Sequence, residues 1–269
     1  MKPVSDYLQY LYSLSFVDVE EVPGTRNKVG DATDIPTRCV VIHDVIKAML
    51  HDLDLSNPLT FTTLPFPSLL PMPSQQFETK DINDVDHFEY MGRTPFRELQ
   101  QHTQNVNFLK GSESLYLYGT SGSGKSHLLA ALAYNLVREG SRVFYIPDCS
   151  TFLLELAKTM WTALNFVLYD SAVLETIGNP HDVKELIELM SGHSDLYIIV
   201  DQVNALDIIA DNDSRKAKKV QALNWLDALR FNHRYVFSAS ANEASNREAD
   251  RKQSGISVFR IFGGMSKVC

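Results

Sequence analysis

The sequence predicts an α/β fold organised around a mainly parallel, five-stranded sheet. From about residue 81, short apolar runs alternate strictly with longer runs that carry helix signals, and this order is typical of parallel strands joined by helices. The apolar runs expected as strands are LYLY, RVFYIP, LYIIV, RYVFSAS and ISVFRIF. Because crossover helices cover both faces of such a sheet, we expect a three-layer sandwich.

The segments between these strands carry the helix signals. Thr94 followed by Pro95 is a good helix start, a capping hydroxyl before a first-turn proline, and it leads into FRELQQHTQ. The segment KSHLLAALAYNLVREG predicts a helix that ends at Gly140. One long helix is expected over STFLLELAKTMWTALNFVLYD, and further helices over HDVKELIELMSG, KAKKVQALNWLDALRF and NEASNREADRKQ. Trp225 and Leu229 lie one turn apart and are expected in the core.

The chain before the alternating region shows no regular alternation of strand and helix signals. We therefore divide the sequence into an irregular N-terminal appendage (residues 1–77) and an α/β domain (residues 78–269). Within the appendage, CVVIHDVIKAML fits either a strand or a buried helix. The segment NPLTFTTLPFPSLLPMPSQQ (residues 57–76, the proline-rich arm) contains five prolines. Because proline fixes φ and lacks an N–H donor, we expect a loop or an extended arm there rather than regular structure.

Composition and charge argue against several classes of protein. The chain has 269 residues, 44% of them hydrophobic, and a formal net charge of −8, which argues against a generally basic nucleic-acid binder. The short basic run SRKAKKVQ is compatible with contacts to nucleic-acid phosphates, but a solvated helix face explains it more simply. No apolar run approaches the ~20 residues of a membrane span, so we expect a soluble, intracellular protein. Cys39, Cys149 and Cys269 are too scattered for a metal site or a disulfide framework.

The segment GTSGSGKS (residues 119–126) carries the clearest chemical signal. It matches the phosphate-binding pattern G-x-x-x-x-G-K-[ST] and stands between a predicted strand and a predicted helix. Its glycines allow successive N–H groups to face a β-phosphate, and the helix N-terminus adds partial positive charge. We expect Lys125 to reach the β- and γ-phosphates and Ser126 to ligate magnesium. The predicted nucleotide-binding residues are Gly119, Thr120, Ser121, Gly122, Ser123, Gly124, Lys125, Ser126 and His127.

The segment IIVDQ raises the question of whether the nucleotide is hydrolysed. Asp201 ends a buried strand, so we expect it to approach Ser126 and to hold magnesium through water. Gln202 stands where NTPases of this type usually place a glutamate, and a neutral amide can orient water but is a poor base. Slow, magnesium-dependent hydrolysis is therefore the leading hypothesis. The alternative is a nucleotide-binding switch that does not turn over.

Polar side chains after the strand RYVFSAS provide further catalytic candidates. Ser238, Ser240 and Asn242 stand at its end, and we choose Ser240 first as the residue that orients water or senses the γ-phosphate. A turn at a strand end explains them equally well. Arg247 and Arg251 on the next predicted helix are candidates for completing a neighbour's site in a homo-oligomer. A solvated helix face is the alternative. With Lys125, Asp201 and Gln202, the predicted catalytic set also contains Ser240 and Arg251.

Two further segments bear on the nucleotide. YMGRTPF is expected to approach the base or the phosphates, because Gly92 permits close contact and Arg93 carries charge. GTP-binding proteins usually carry an N-K-x-D segment that specifies guanine. The nearest match, in RNKVGDATD, reads N-K-V-G and lacks the aspartate, so ATP is favoured over GTP.

The run LYLYGTSGSGKSHLLAALAYNLVREGSRVFYIPDCS, followed by LYIIVDQVNALD, NHRYVFSASAN and GISVFRIFGGM, resembles the P-loop NTPase module of Crinkler and retrotransposon-hot-spot type effector proteins. The resemblance covers roughly Tyr90 to Met265. It implies an additional-strand P-loop fold that is distantly similar to AAA+ ATPases. It also implies that the order VDQ is a feature of this module. Family members are secreted effectors that are proposed to act on nucleic acid in a host nucleus. Nuclease-like domains often follow this module. Because the sequence ends at Cys269, we expect neither such a domain nor an AAA-type helical lid.

Overall fold

The computed structural model describes residues 35–49, 53–105, 114–120, 122–169, 187–188, 190, 196–207, 212–230, 233–239 and 256–261. The helices within these ranges are α1 (Ile35–Ala48), α2 (Pro95–Asn105), α3 (Lys125–Arg138), α4 (Cys149–Leu154), α5 (Leu156–Val167) and α6 (Asp213–Arg230). The strands are β1 (Phe61–Pro65), β2 (Thr79–Ile82), β3 (Val85–Met91), β4 (Ser114–Gly119), β5 (Arg142–Ile146), β6 (Leu196–Val200), β7 (Arg234–Ser238) and β8 (Ile256–Ile261).

The core of the fold is a five-stranded parallel sheet in the order β5-β6-β7-β4-β8. This confirms the predicted α/β class and the predicted sheet. The strands read as continuous apolar runs because layers on both faces bury them, and every residue of β6 is buried. The register pairs Leu117 with Ser238 and Val200 with Phe237, so the C-terminal ends of β4, β6 and β7 meet at one edge.

Helix α3 begins at this edge of the sheet and is deeply buried. Its ten residues from Leu128 to Val137 are all buried, and it contacts α1, β1, β4 and β5. A helix that is apolar on all sides needs cover on all sides. Helix α1 supplies part of that cover, because it packs on both α3 and α5. Of the two interpretations of CVVIHDVIKAML, the structure adopts the helix, with one face buried and Val40 and Val41 exposed on the other.

A second, antiparallel sheet precedes the parallel one and was not predicted. Its order is β1-β3-β2, with Phe61 opposite Met91 and Thr79 opposite Phe88. Strand β1 lies inside the proline-rich arm, where we expected no regular structure. It tolerates Pro65 because β1 is an edge strand and Pro65 is its last residue. The division at residue 77 thus cuts through one sheet, and β1 belongs structurally with the strands that follow.

The predicted long helix after β5 is two helices. Asp148 caps α4 by accepting hydrogen bonds from the N–H groups of Ser150 and Thr151. The helical path breaks at Glu155, whose φ of −129° and ψ of 59° lie outside the helical region, and α5 then begins. Both helices bury most of their apolar residues. The sequence pattern is apolar on either side of Glu155, so periodicity alone did not reveal the break.

The remaining predictions about the fold have mixed outcomes. Trp225 and Leu229 are buried in α6, as expected. Cys39 and Cys149 are free and buried, and burial raises the pKa of Cys39 to about 12.

The predicted helix NEASNREADRKQ lies outside the described residues, and so does most of HDVKELIELMSG. Among the helices that the structure describes, none is both long and apolar enough to cross a bilayer.

Candidate nucleotide site

The phosphate-loop segment connects β4 to α3 through residues that adopt left-handed backbone conformations. Gly122 has a φ of 72° and Gly124 a φ of 76°, in the region that L side chains rarely adopt. Gly124 is also the N-cap of α3, and no side chain caps the helix there. The first-turn N–H groups are thus left for a ligand, and the helix dipole favours an anion.

Arg93 lies directly against this loop. Its guanidinium donates a hydrogen bond to the Ser123 carbonyl. A Cβ atom at Gly124 would lie 2.1 Å from Arg93 Nη1, and a Cβ at Gly92 would lie 1.9 Å from the Asn57 carbonyl oxygen. Both glycines therefore allow a close approach that any side chain would obstruct. YMGRTPF was expected to approach the base or the phosphates; the structure places Arg93 of this segment against the phosphate loop, and an approach to the nucleotide itself stays a prediction.

Lys125 folds back over the loop. Its Nζ donates to the carbonyl oxygens of Gly119 at 2.8 Å and Thr120 at 2.9 Å. Burial lowers the pKa of Lys125, and the negative charge of Asp201 raises it again in part. The ammonium group is therefore held at the loop, where P-loop proteins bind the β- and γ-phosphates.

Asp201 lies directly after β6 and is 1% exposed. Its Oδ1 accepts hydrogen bonds from the Ser238 hydroxyl and from the Gln202 N–H, the latter at 2.8 Å. Its Oδ2 is buried and accepts no hydrogen bond from the part of the chain that the structure describes. A buried carboxylate oxygen without a donor is costly unless something else satisfies it, and a cation is one way to do so.

Opposing effects act on the ionisation of Asp201. Burial raises the pKa of this carboxyl, and Ser126, Ser238, the Gln202 N–H and the charge of Lys125 lower it. The Ser126 hydroxyl is a hydrogen-bonding neighbour of this carboxyl and helps to lower its pKa, although its geometry leaves Oδ2 unsatisfied. The predicted approach of Asp201 to Ser126 therefore agrees with the structure.

Gln202 follows in a strained backbone conformation. Its φ of 58° and ψ of 42° are left-handed, which is uncommon for any residue other than glycine, asparagine or aspartate. The residue precedes a short 3-10 turn, Val203–Leu206, and its own carbonyl accepts from the Ala205 N–H at 3.0 Å. Strain of this kind is found where the surrounding structure fixes a functional side chain.

A pocket of about 320 Å³ is lined by residues 122–126 of the loop, by Asp201 and Gln202, and by residues 238–239 at the end of β7. Of the predicted loop residues that the structure describes, Gly119 and Thr120 do not line it. Two residues of the proline-rich arm that sequence reasoning missed, Gln75 and Gln76, line it as well. His127 also lines it, and its ring packs against Phe77 with 4.7 Å between ring centroids. Nothing in the arm resembles a nucleotide motif. The contact that seats it on α3 joins residues 50 positions apart, so local sequence could not reveal it.

Several predicted residues lie outside the described part of the chain: Ser121, Ser240, Asn242, Arg247 and Arg251. Ser238, which we ranked behind Ser240, is the residue of β7 that contacts Asp201. In the basic run, the Lys219 ammonium donates to the Asp207 carbonyl and Lys216 lies 3.9 Å from Asp213. Two of its positive charges therefore have intramolecular partners.

Comparison with known proteins gives a partial match. The family of IstB-like ATP binding proteins matches residues 70–160, a minority of the chain that includes the loop and β5. No curated protein matches the sequence. Among solved structures, AMPPCP-bound DnaA from Aquifex aeolicus is similar with a TM-score of 0.35 and 17% identity, over 62% of this chain and 44% of that one. The chain thus spans less than half the length of that protein.

The family match and the geometry of the site indicate the same kind of domain. The loop pattern, its position between β4 and α3, the parallel sheet order and the buried carboxylate at the end of β6 are those of a P-loop NTPase. The chain is therefore a P-loop domain of the nucleotide-binding type.

Proposed function

We propose that this protein binds ATP with magnesium and hydrolyses it slowly. The observation that carries the proposal is the juxtaposition of the glycine loop with a buried carboxylate: Lys125, Ser126 and Asp201 line the same pocket, and Asp201 Oδ2 has no hydrogen-bond partner among the described residues. The choice of ATP is supported by the ATP-binding description of the matching family and by the lack of an N-K-x-D segment in the sequence.

The residues present fit a magnesium ion. Magnesium is usually held by one or two protein oxygens and completes its octahedron with water and substrate phosphates. The Ser126 hydroxyl and Asp201 Oδ2 provide such oxygens at one end of the pocket. The ion would neutralise charge on the β- and γ-phosphates. Lys125 and the N–H groups at the start of α3 would bind the same phosphates.

Hydrolysis would depend on how the attacking water is positioned, because the residue directly after Asp201 is Gln202 rather than a carboxylate. Gln202 can hold a water molecule by hydrogen bonds but cannot accept its proton at neutral pH. Phosphoryl transfer needs little general-base assistance compared with positioning and charge stabilisation. We therefore expect turnover that is slow but measurable. A switch that binds ATP and releases no phosphate is the competing function.

The test measures ATP binding by calorimetry and phosphate release under steady state, each with and without magnesium. Wild-type protein should bind ATP and release phosphate, and Lys125→Ala should lose both while its thermal unfolding stays cooperative. Ser126→Ala should weaken the dependence on magnesium. If Lys125→Ala binds ATP as tightly as wild type, the nucleotide assignment is wrong. If wild type binds ATP but releases no more phosphate than Lys125→Ala, the switch function is correct.

The finer assignment to a Crinkler-type effector module also stays a proposal, and the order of the segments LYLYGTSGSGKS, IIVDQ and FSASAN supports it. That proposal includes a host nuclear or nucleic-acid partner and a homo-oligomer in which Arg251 completes a neighbouring site. Turnover per molecule that rises with protein concentration, and that falls in Arg251→Ala, would support the oligomer. Turnover that is independent of concentration would contradict it.

A further inference from the structure

The proline-rich arm ends in a tight turn seated beside the phosphate loop. The N–H groups of Gln76 and Phe77 both donate to the Pro73 carbonyl, at 2.9 and 3.1 Å. Phe77 is buried, and its ring contacts Phe66 and Phe88 edge-on and lies 4.7 Å from the ring of His127 in the first turn of α3. The turn is thus anchored by aromatic packing, and the residue before the anchor, Gln76, is directed to the pocket.

The carboxamide of Gln76 carries an unused acceptor. Its Oε1 is buried and has no hydrogen-bond partner among the described residues. Buried polar atoms in native proteins are nearly always hydrogen-bonded, so each exception needs a water, an ion or a ligand to explain it. Ser74, two residues earlier in the same turn, is exposed and is not among the residues that line the pocket, so it provides a control.

The rest of the pocket indicates which part of a ligand Gln76 would meet. Gln76 shares the pocket with Ser126, Asp201 and Ser238, which lie at the start of α3 and at the ends of β6 and β7. In a P-loop site this group surrounds the metal and the terminal phosphate. The acceptor of Gln76 is therefore available in the pocket that also holds these groups.

We propose that Gln76 is a positioning residue for hydrolysis, which holds the water that attacks the terminal phosphate of bound ATP. The proposal rests on the function proposed above. Gln76 Oε1 accepts a hydrogen bond from the water, whose oxygen then bonds to the γ-phosphorus. The bond from that phosphorus to the β–γ bridging oxygen breaks, and its electron pair leaves with ADP. The water's proton passes to the released phosphate, so Gln76 gains and loses none.

The experiment compares Gln76→Ala, Gln76→Glu and the control Ser74→Ala. Gln76→Ala should lower kcat about tenfold, the value of one neutral hydrogen bond, while the Kd for AMPPCP stays within about twofold of wild type. Gln76→Glu places a negative charge near the terminal phosphate. It should therefore weaken AMPPCP at least about tenfold more than ADP, because ADP lacks that phosphate. Ser74→Ala should match wild type in each measurement.

The binding comparison needs no turnover, so it tests whether Gln76 lies beside the terminal phosphate even if the protein proves to be a switch. Equal weakening of AMPPCP and ADP by Gln76→Glu, or no weakening of either, overturns the role of Gln76 and leaves ATP binding intact. Wild-type protein that binds neither nucleotide overturns both proposals together. Thermal unfolding of each variant separates a local effect from loss of the fold, because Gln76 is only partly buried.

Discussion

Asp201 and Ser238 lie side by side because the register of β6 and β7 aligns their ends. Ser238 and the Gln202 N–H satisfy one carboxylate oxygen, and the other is left without a partner among the described residues. Burial alone would favour the neutral acid, whereas the hydrogen bonds and Lys125 favour the anion. A cation at Oδ2 would favour the anion further, so ion binding and ionisation of Asp201 are coupled.

Replacing Asp201 with asparagine tests that coupling. Asp201→Asn keeps the size of the side chain but removes the charge that attracts magnesium. We expect magnesium to raise the ATP affinity of wild type, and to raise that of Asp201→Asn much less. Phosphate release should fall to the level of Lys125→Ala. The measurement is ATP affinity by calorimetry with magnesium and with EDTA; an undiminished magnesium effect in the variant would contradict the assignment.

Gln202 combines a strained backbone with a side chain in the pocket. Left-handed φ costs an ordinary residue roughly 1–2 kcal/mol, which glycine avoids at the expense of about 0.5–1 kcal/mol of backbone entropy. Gln202→Gly should therefore leave the free energy of unfolding unchanged or raise it by up to about 1 kcal/mol, yet slow phosphate release. Gln202→Glu should preserve or raise turnover, because a carboxylate can accept a proton. Urea unfolding and phosphate release measure the two effects; a Gln202→Gly variant with wild-type turnover would exclude a catalytic role.

At the scale of elements, the connection between β4 and α3 depends on two glycines whose surroundings differ. Both have left-handed φ, so an alanine at either position incurs the same backbone cost of about 1–2 kcal/mol. A Cβ at Gly122 meets nothing within 4 Å, whereas a Cβ at Gly124 meets the Arg93 guanidinium. The guanidinium would have to move and give up its hydrogen bond to Ser123.

We therefore predict that Gly124→Ala lowers the free energy of unfolding by about 1–2 kcal/mol more than Gly122→Ala. Chemical denaturation measures this difference. In an Arg93→Ala background the excess should disappear, because the group that clashes is gone. A persistent excess in that background would show that something other than Arg93 opposes a side chain at Gly124.

Helix α3 and the antiparallel sheet connect the nucleotide site to the rest of the molecule. Phe66 follows β1 directly, and its ring contacts Phe77, Phe88 and Tyr145 of β5 at centroid distances of 5.7, 6.1 and 5.8 Å. Residues on either side of position 77 thus share one aromatic cluster with the parallel sheet. The part of residues 1–77 that the structure describes is integral to the core rather than attached to it.

Phe66→Ala tests this integration over the whole molecule. Phe66 is 1% exposed, so its truncation should leave a cavity and cost about 3–5 kcal/mol of unfolding free energy. Phe61→Ala is the control, because Phe61 lies in β1 five residues earlier but is 67% exposed. It should cost less than about 1 kcal/mol. Comparable small losses in both variants would restore the interpretation of this region as an appendage.

Local features were sufficient to predict much of this protein. The alternation of apolar runs predicted the parallel sheet because strands covered on both faces must be apolar throughout. The phosphate loop was predictable because its glycines, lysine and serine act within eight consecutive positions. The position of Asp201 at the end of a buried strand was predictable because an apolar run directly precedes it. Each of these signals lies within one short segment.

Tertiary structure decided the features that depend on contacts between distant segments. The antiparallel sheet depends on pairing between residues 61–65 and residues 87–91, and its strands are short, with mostly polar residues in β2. Gln76 lines the pocket beside the point where Phe77 packs on His127, and Ser238 meets Asp201 because the register of β6 and β7 aligns their ends. A sequence states which residues are available for such contacts; the packing of the folded chain selects which of them meet.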